Sequence, residues 1–440
     1  MKAFKLQDIR NTKAFPDLEY RFGKVKETED AVIIDRDFLG ENPVHYYIDG
    51  KKGELLIASN IADIKSLLEK QRRIFVWDRV RGVSNNSRLI IDNLSFSSTS
   101  PQETEIGETL QQMNLDNSIN YNDLSSVATR VRELLESSTS SRLKSVNDEQ
   151  IGLLLSGGLD SMSVGYFLSK ARNYGLTAFT LKVSDNDKDI VKSRELAQRY
   201  RIDLIEIGLS RDQDSVKIVT QKYNPAREIK DKKELGSISL EESVSEALRI
   251  SGNPKRDNAF CAIAMYLAGK AIQSEGISIV FCGEGPNEMI NDYGYNPELL
   301  GYGTPNKGDF AFREALTFGM KMNDKQLGRG GLPKHAIARM GKIFAHYDIR
   351  LEAPYFNKQI AKIMTHIPHS TSYDTVKQHL MKEVLFDAGL DDLIEGTSKE
   401  KFQDGSGVSG LFESFDQRKL ITMFDQIYGI RKNAYLIGKD

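Results

Sequence analysis

The sequence has few cysteines and little net charge, and these shortages exclude several classes of protein. Cys261 and Cys282 are the only cysteines in 440 residues, too few for a disulfide framework. Both stand near apolar neighbours, which predicts reduced cysteines in the core. The formal net charge is −2 at pH 7, so the chain lacks the basic footprint of a nucleic-acid-binding protein. We therefore expect no nucleic-acid partner.

Long apolar runs are also missing. No stretch approaches the roughly 20 apolar residues of a transmembrane helix, and the opening Met-Lys-Ala-Phe-Lys-Leu-Gln-Asp lacks the apolar core of a signal peptide. Apolar residues make up 40% of the chain and charged residues 28%, which are values typical of globular proteins. The sequence predicts a cytoplasmic protein with no membrane partner.

The most informative segment that is present is Ser-Gly-Gly-Leu-Asp-Ser at residues 156–161. It lies between the apolar runs 151–155 and 162–168, an order that predicts a buried strand, a glycine turn and the start of a helix. Glycines let backbone amides approach a phosphate, and the helix directs its unpaired N–H groups and positive dipole end to the same place. The serines add hydroxyl donors, and the aspartate is a hard oxygen ligand for Mg²⁺. The segment predicts a pyrophosphate-binding loop.

Two patterns of apolar residues divide the chain. Within residues 1–110, β-like segments separated by polar turns predict an antiparallel sheet; they are 31–34, 44–48, 55–58, 74–77 and 88–91. From residue 123, strands alternate with helices, which predicts a parallel sheet flanked by helices. The predicted strands are 151–155, 177–183, 204–207 and 277–281, and the predicted helices are 190–200, 258–274, a polar stretch up to about 254 and most of 310–440. This pattern predicts an α/β fold with a smaller β-rich N-terminal domain.

Two further glycine-rich segments follow strand-like or polar stretches. Residues 282–288, Cys-Gly-Glu-Gly-Pro-Asn-Glu, come directly after the strand 277–281. Ligands of open parallel sheets bind beyond the carboxyl ends of the strands, so this turn and 156–161 could face one crevice. Lys399 and Lys401 lie beside a third glycine-rich stretch, where a lysine could neutralise a phosphate. A polar surface turn and a solvated loop are the plain alternatives for these two segments.

Residues 120–415 resemble the synthetase domain of glutamine-dependent asparagine synthetase and its relatives, the β-lactam synthetases and lasso-peptide cyclases. The family's Ser-Gly-Gly-Leu-Asp-Ser loop is unaltered at 156–161, and its Gly-Glu-Gly-Ser/Ala-Asp-Glu-x-x-Gly-Gly-Tyr motif matches 283–293 without a gap. Two more family segments match 339–357 and 399–405. The resemblance implies an ATP-pyrophosphatase fold of the adenine-nucleotide-hydrolase type over residues 120–440. It also implies that ATP activates a carboxylate as an acyl-adenylate, pyrophosphate leaves, and an amine displaces AMP.

The resemblance further implies roles for individual residues. Those that would bind pyrophosphate are Ser156, Gly157, Gly158 and Ser161, and those that would contact adenosine are Leu155, Leu181, Cys282 and Gly283. Those that would hold Mg²⁺ are Asp160 and Asn287, and those that would take part in catalysis are Glu284, Tyr293 and Lys399. The implied cofactors are ATP and Mg²⁺. The implied substrates are a small-molecule or peptide carboxylate and ammonia or an amine.

Five positions depart from the family pattern. Asn291 and Asp292 replace a Gly-Gly, which changes the turn before Tyr293. Asn287 stands where the family has aspartate, which removes a charge from the second metal contact. Arg350 and Glu352 stand where the family has glutamate and arginine, an exchange that keeps a local ion pair but reverses the charge offered toward the substrate. These departures predict an altered substrate. An intramolecular amide cyclase of the β-lactam synthetase or lasso cyclase type and a non-catalytic nucleotide-binding paralogue remain alternatives.

Residues 1–115 resemble a shortened and degenerate form of the family's glutaminase domain. The resemblance rests on Pro-Val-His-Tyr-Tyr at 43–47 and Leu-Ile-Ala-Ser-Asn at 56–60. That domain needs a thiol at its processed first residue, because the free α-amine acts with the nucleophile. Here Lys2 follows Met1, and no cysteine precedes Cys261. We expect no glutamine hydrolysis, and the sequence leaves a homodimer open.

Overall fold

The fold is taken from a computed structural model of the 440-residue chain. The residues that the structure describes are 5–8, 24–28, 31–36, 44–49, 52–76, 79–83, 87–92, 102–105, 118–144, 146, 150–172, 175–184, 188–223, 232–289, 336–367, 380, 382–385 and 406–430. None of the helices in these ranges is long and apolar enough to span a bilayer.

Two four-stranded sheets form the N-terminal region. One sheet has the order β1 (Lys5–Asp8), β5 (Glu54–Ala58), β4 (His45–Asp49), β6 (Val80–Gly82), and the other has the order β2 (Lys24–Glu27), β3 (Ala31–Asp35), β7 (Ser87–Asp92), β8 (Gln102–Glu105). A small apolar core, which includes Val32, Ile57 and Ile91, joins the two sheets. The alternating burial of β3 and β7 explains this packing, because every second side chain points between the sheets.

Antiparallel pairing is confirmed for most of the N-terminal strands, but these strands form two sheets where one was predicted, and two further details are wrong. β1 pairs with β5 in parallel, although the other N-terminal pairs are antiparallel. Residues 74–76 are not a strand, and Ile74 is 86% exposed. A short apolar run alone does not distinguish a strand from an irregular segment, because periodicity needs more residues to show.

A seven-stranded sheet forms the centre of the rest of the chain. Its order is β13 (Lys232–Ser239), β12 (Ser215–Tyr223), β11 (Asp203–Asp212), β10 (Leu176–Lys182), β9 (Ile151–Leu154), β14 (Ile279–Phe281), β15 (Arg350–Glu352). The five strands from β11 to β15 in this order are parallel, and β12 and β13 are antiparallel additions at one side. The predicted α/β fold with a parallel sheet is therefore confirmed.

Helices cover this sheet in two groups. The first group contains α2 (Leu124–Lys144), α3 (Leu159–Ala171), α4 (Lys188–Tyr200) and α9 (Lys358–Thr365), and the second contains α5 (Leu240–Ser251), α6 (Arg256–Ser274), α8 (Ala336–His346) and α11 (Gln417–Tyr428). Two further helices, α7 (Pro286–Met289) and α10 (Val408–Leu411), are short. In the N-terminal region α1 (Ile61–Lys70) contacts both β5 and α5, so the two regions share one main apolar core.

The predicted polar helical stretch before residue 254 is wrong for most of its length. Residues 215–223 and 232–239 form the antiparallel pair β12 and β13, and among the described residues from 215 to 254 only α5 is helical. The side chains of Val216, Ile218 and Thr220 are buried, and those between them are more exposed. This period of two is the sequence signal of a half-buried strand. The many polar residues between the buried positions obscured this signal.

Candidate functional site

The loop of residues 156–161 connects the carboxyl end of β9 to the first turn of α3. Gly157 has φ +69°, and a Cβ there would lie 2.6 Å from the carbonyl oxygen of Asp189 in the first turn of α4. Neither the backbone conformation nor the space suits a residue larger than glycine. Ser193 of α4 also donates its hydroxyl to the carbonyl oxygen of Leu155, at 3.3 Å. The loop is thus fixed between the beginnings of two helices.

The two serines of the loop bond to each other and to its backbone. The Ser156 N–H donates to Ser161 Oγ at 3.2 Å, the two hydroxyl oxygens are 3.1 Å apart, and Ser161 Oγ donates to the carbonyl oxygen of Gly158 at 2.9 Å. Ser161 is buried and Ser156 is half-buried. Ser161 therefore fixes the shape of the loop, while the hydroxyl of Ser156 is the more accessible of the two.

The segment after β14 touches this loop directly. A Cβ on Gly283 would lie 2.5 Å from both the carbonyl carbon of Asp160 and the backbone nitrogen of Ser161. Just before it, the N–H of buried Cys282 donates to the carbonyl oxygen of Glu352 at 2.9 Å, which ties the segment to β15. Two predicted site segments that are far apart in sequence are therefore in backbone contact at one edge of the sheet.

The structure describes only some of the remaining predicted site residues. Leu155 and Leu181 are buried at the carboxyl ends of β9 and β10. Glu284 and Asn287, the latter in α7, are partly buried. The two other residues predicted to act in catalysis, Tyr293 and Lys399, lie outside the described residues.

The chain just after the third predicted segment also reaches this edge. Gly407 has φ +71°, and a Cβ there would lie 2.9 Å from Cβ of Val183, the residue that follows β10. Ser406 beside it is buried. Residues 406–407 therefore lie near the carboxyl end of β10, the neighbour of β9 and the strand that carries Leu181, one of the predicted adenosine contacts.

Sequence reasoning missed a tyrosine that supports the loop. Tyr355 is fully buried, its hydroxyl oxygen lies 2.5 Å from Ser163 Oγ, and Ser163 Oγ donates to the carbonyl oxygen of Asp160 at 2.8 Å. Burial and the charge of Asp160 raise the pKa of Tyr355 well above its usual value, so the phenol stays neutral. Its position within the matched segment 339–357 was the one available signal.

The exchanged pair at 350 and 352 is part of a buried ion network. Residues two apart on a strand share a face, and Arg350 Nε donates to Glu352 Oε1 at 2.6 Å. Arg142 of α2 donates to the second carboxylate oxygen at 2.9 Å and to the carbonyl oxygen of Phe356 at 2.8 Å. Glu352 is completely buried. The predicted local ion pair is present, but the carboxylate lies within this network and does not offer its charge to a substrate.

At this edge of the sheet, Mg²⁺ would need oxygen atoms from a bound phosphate in addition to protein side chains. The described residues contain no group of three or more His, Cys, Asp and Glu side chains that could hold a metal ion. Mg²⁺ commonly binds through one or two carboxylates together with substrate phosphates and water. Asp160, in the first turn of α3, meets that requirement if phosphate oxygens occupy the adjoining loop.

Comparison with known proteins agrees with the resemblance of the motifs. A family model for asparagine synthase matches residues 130–220, which include the loop. Asparagine synthetase B (glutamine-hydrolyzing) of Escherichia coli K12 is 23% identical over 419 residues, which cover 89% of this chain and 61% of that protein. The glutamine-hydrolyzing asparagine synthetase of Bos taurus is 23% identical over 297 residues, which cover 64% of this chain and 44% of that protein. The chain thus spans about half the length of these curated relatives.

Among solved structures, the chain is similar to a U34-tRNA thiolase, NcsA, from Methanococcus maripaludis. The identity is 13%, the TM-score is 0.29, and the match covers 73% of this chain and 89% of that one. A superposition of this quality bears on neither fold nor function.

Proposed function

Because the family match and these relatives support membership of the asparagine synthetase family, we propose that this protein is an ATP- and Mg²⁺-dependent carbon–nitrogen ligase. It adenylates a carboxylate with release of pyrophosphate and transfers the acyl group from AMP to ammonia or an amine. The observation that supports this proposal most is the backbone contact between Gly283 and the residues Asp160 and Ser161. This contact places the two glycine-rich segments side by side, as the proposed reaction requires.

In this proposal the loop 156–161 binds the leaving pyrophosphate. Its backbone N–H groups and the start of α3 supply positive potential where negative charge develops, and a preorganised site of this kind stabilises the transition state more than the ground state. Mg²⁺ held by Asp160, with Asn287 as a weaker oxygen ligand, would neutralise phosphate charge. The adenosine would lie against Leu155, Leu181, Cys282 and Gly283.

Glu284 comes directly after Gly283, which contacts the first turn of α3, and in this proposal its carboxylate acts beside the bound acyl group. Lys399 would stabilise the charge that develops between acyl group and phosphate, and Tyr293 would complete the catalytic set. These last two roles rest on the motif match alone.

We further propose that the nitrogen does not come from glutamine hydrolysis by this chain. The support is that residues 1–115, which resemble a glutaminase domain, contain no cysteine, and the glutaminase reaction of the family depends on a thiol nucleophile. Ammonia, a second substrate or an amine within the carboxylate substrate would supply the nitrogen.

The test is ATP–pyrophosphate exchange with a panel of carboxylates. We expect exchange with at least one carboxylate, and we expect Asp160→Asn to reduce it by at least about 100-fold, since losing one stabilising group from a transition state costs about 3 kcal/mol or more. The matched control is Asp212→Asn at the exposed end of β11, which should exchange like wild type.

The outcomes separate this proposal from its rivals. Exchange that is unaffected in Asp160→Asn would show that the loop has been assigned wrongly. ATP binding without exchange for any carboxylate would favour the non-catalytic paralogue, which Asn287 suggests. Product formation without an added amine, with the mass of the carboxylate less one water, would identify an intramolecular cyclase.

A further inference from the structure

Three basic side chains are buried together where the N-terminal sheets meet the α/β region. Arg36 follows β3, His45 lies on β4, and Lys342 lies on α8; they are 3%, 0% and 5% exposed. His45 shares a face of β4 with Tyr47, which packs in the main core, whereas Tyr46 points into the small core between the sheets. The imidazole is therefore directed toward the α/β region, where Lys342 lies.

The polar atoms around this cluster are mostly donors. The Arg36 guanidinium donates to the carbonyl oxygen of Val83, and Lys342 Nζ lies 3.4 Å from the carbonyl oxygen of Ser251. Within the part of the chain that the structure describes, neither ring nitrogen of His45 nor the buried hydroxyl of Ser251 has a hydrogen-bond partner. Buried polar groups are nearly always satisfied, so each unsatisfied one needs an explanation.

The positive charges of the three basic side chains repel one another. Burial, followed by the charges of Lys342 and Arg36, lowers the pKa of His45 well below its usual value. Burial and the charge of Arg36 lower the pKa of Lys342 to about 7. A lysine and a histidine can remain buried either by losing their protons or by binding a group of opposite charge. Binding a group of negative charge would also give the hydrogen-bond donors of the cluster an acceptor.

We propose that Arg36, His45, Ser251 and Lys342 form a binding site for a small inorganic anion between the two regions of the protein. The guanidinium, the ammonium, the hydroxyl and one imidazole N–H all offer hydrogen, and such a set suits a halide or an oxyanion such as phosphate. Because the four residues come from the N-terminal sheets, from α5 and from α8, a bound anion would hold the two regions together. None of the four residues belongs to the loop 156–161.

The first test needs no variant. Crystals of the full-length protein soaked in sodium bromide should show an anomalous peak within hydrogen-bond distance of Lys342 Nζ and His45. A peak elsewhere only, or a carboxylate from another segment of the chain in contact with Lys342 and His45, would overturn the proposal. Either result is independent of ligase activity.

The second test is thermal unfolding of the full-length protein in rising sodium bromide or sodium phosphate. The melting temperature of wild type should rise with a component that saturates, because the anion binds the native state only. Lys342→Met and His45→Gln should lose that component, whereas Lys362→Met, which removes an equally buried lysine from α9, should keep it. A saturable rise of equal size in wild type and both cluster variants would contradict the proposal. The phosphate and bromide arms together measure which of the two anions the site binds more tightly.

Discussion

The carboxyl edge of the seven-stranded sheet and the N-terminal pair of sheets are held together by different kinds of contact. At the edge, Gly157 and Gly283 bring backbone against backbone, at distances that leave no room for a side chain. In the N-terminal sheets, apolar side chains such as Val32 and Ile57 interdigitate in an ordinary small core. Cores of the second kind tolerate many volume-conserving changes, whereas the first kind does not. We therefore expect the carboxyl edge to be the more sensitive of the two regions to small substitutions.

The largest expected effect is that of Gly283→Ala. The new methyl group would collide with the backbone of Asp160 and Ser161, and a shift of about 1 Å at a reacting site can cost about 100-fold in rate. We expect ATP–pyrophosphate exchange to fall by that factor or more. Gly410→Ala in α10, where a Cβ would meet nothing within 4 Å, should retain exchange. Similar exchange rates in Gly283→Ala and Gly410→Ala would contradict the expectation that the close backbone contact at the carboxyl edge makes this region sensitive to small substitutions.

The second effect concerns stability and compares ion pairs of the two regions. Glu352→Gln should lower the free energy of unfolding by about 3–5 kcal/mol, because it leaves Arg142 and Arg350 buried without their carboxylate. Glu54→Gln in β5 should cost less, since its partner Arg73 retains Asp49. Urea unfolding of both variants measures the difference. A larger loss in Glu54→Gln would reverse the expected order.

A smaller effect is expected for Tyr355→Phe. The change removes one hydrogen bond, at about 1 kcal/mol, but Ser163 still donates to the carbonyl oxygen of Asp160. Exchange should fall by less than about tenfold. Tyr428→Phe is the control, because Tyr428 is as buried and donates to the carbonyl oxygen of Arg249 in α5. If only stability changes, and equally in both variants, Tyr355 has no positioning role.

We expect the protein not to hydrolyse glutamine when glutamine is offered as the nitrogen donor. The N-terminal sheets carry no thiol, so purified protein should release no glutamate from glutamine above background, with ammonium chloride as the comparison donor. Glutamate release by a homogeneous preparation would place chemistry in the N-terminal region as well and would end the distinction between the two regions.

The sequence predicted the elements whose signals are local. The alternation of strands and helices identified the parallel sheet, and the glycines and serines of 156–161 identified the turn between β9 and α3. The position of both glycine-rich segments at strand ends also indicated that they could face one crevice, and Gly283 does contact the backbone of Asp160. Glycine is informative in this way because few other residues suit a close backbone approach.

The sequence did not predict contacts that depend on packing between distant segments. Arg142, in the last turn of α2, gave no sign in the sequence that it pairs with Glu352. β15 is only three residues long, too short for a periodic pattern, and the charge of Lys342 acts on His45 although the two residues are far apart in the sequence. Such partners are decided by tertiary structure, which the pattern of one segment does not contain.

The order of strands in the large sheet has a consequence for how the protein folds. β9 is the central parallel strand, and its two neighbours are β10, which follows soon after, and β14, where Ile279 pairs with Ile151 across more than a hundred residues. Pairings this distant in sequence are slow to form, because the entropy of loop closure is lost before the contacts are gained. On the ribosome, the loop after β9 would therefore be synthesised early and remain without its partner Gly283 until β14 emerges. We expect the N-terminal sheets and the β9–β10 unit to gain protection from hydrogen exchange first, and the ligand-binding edge to gain it last.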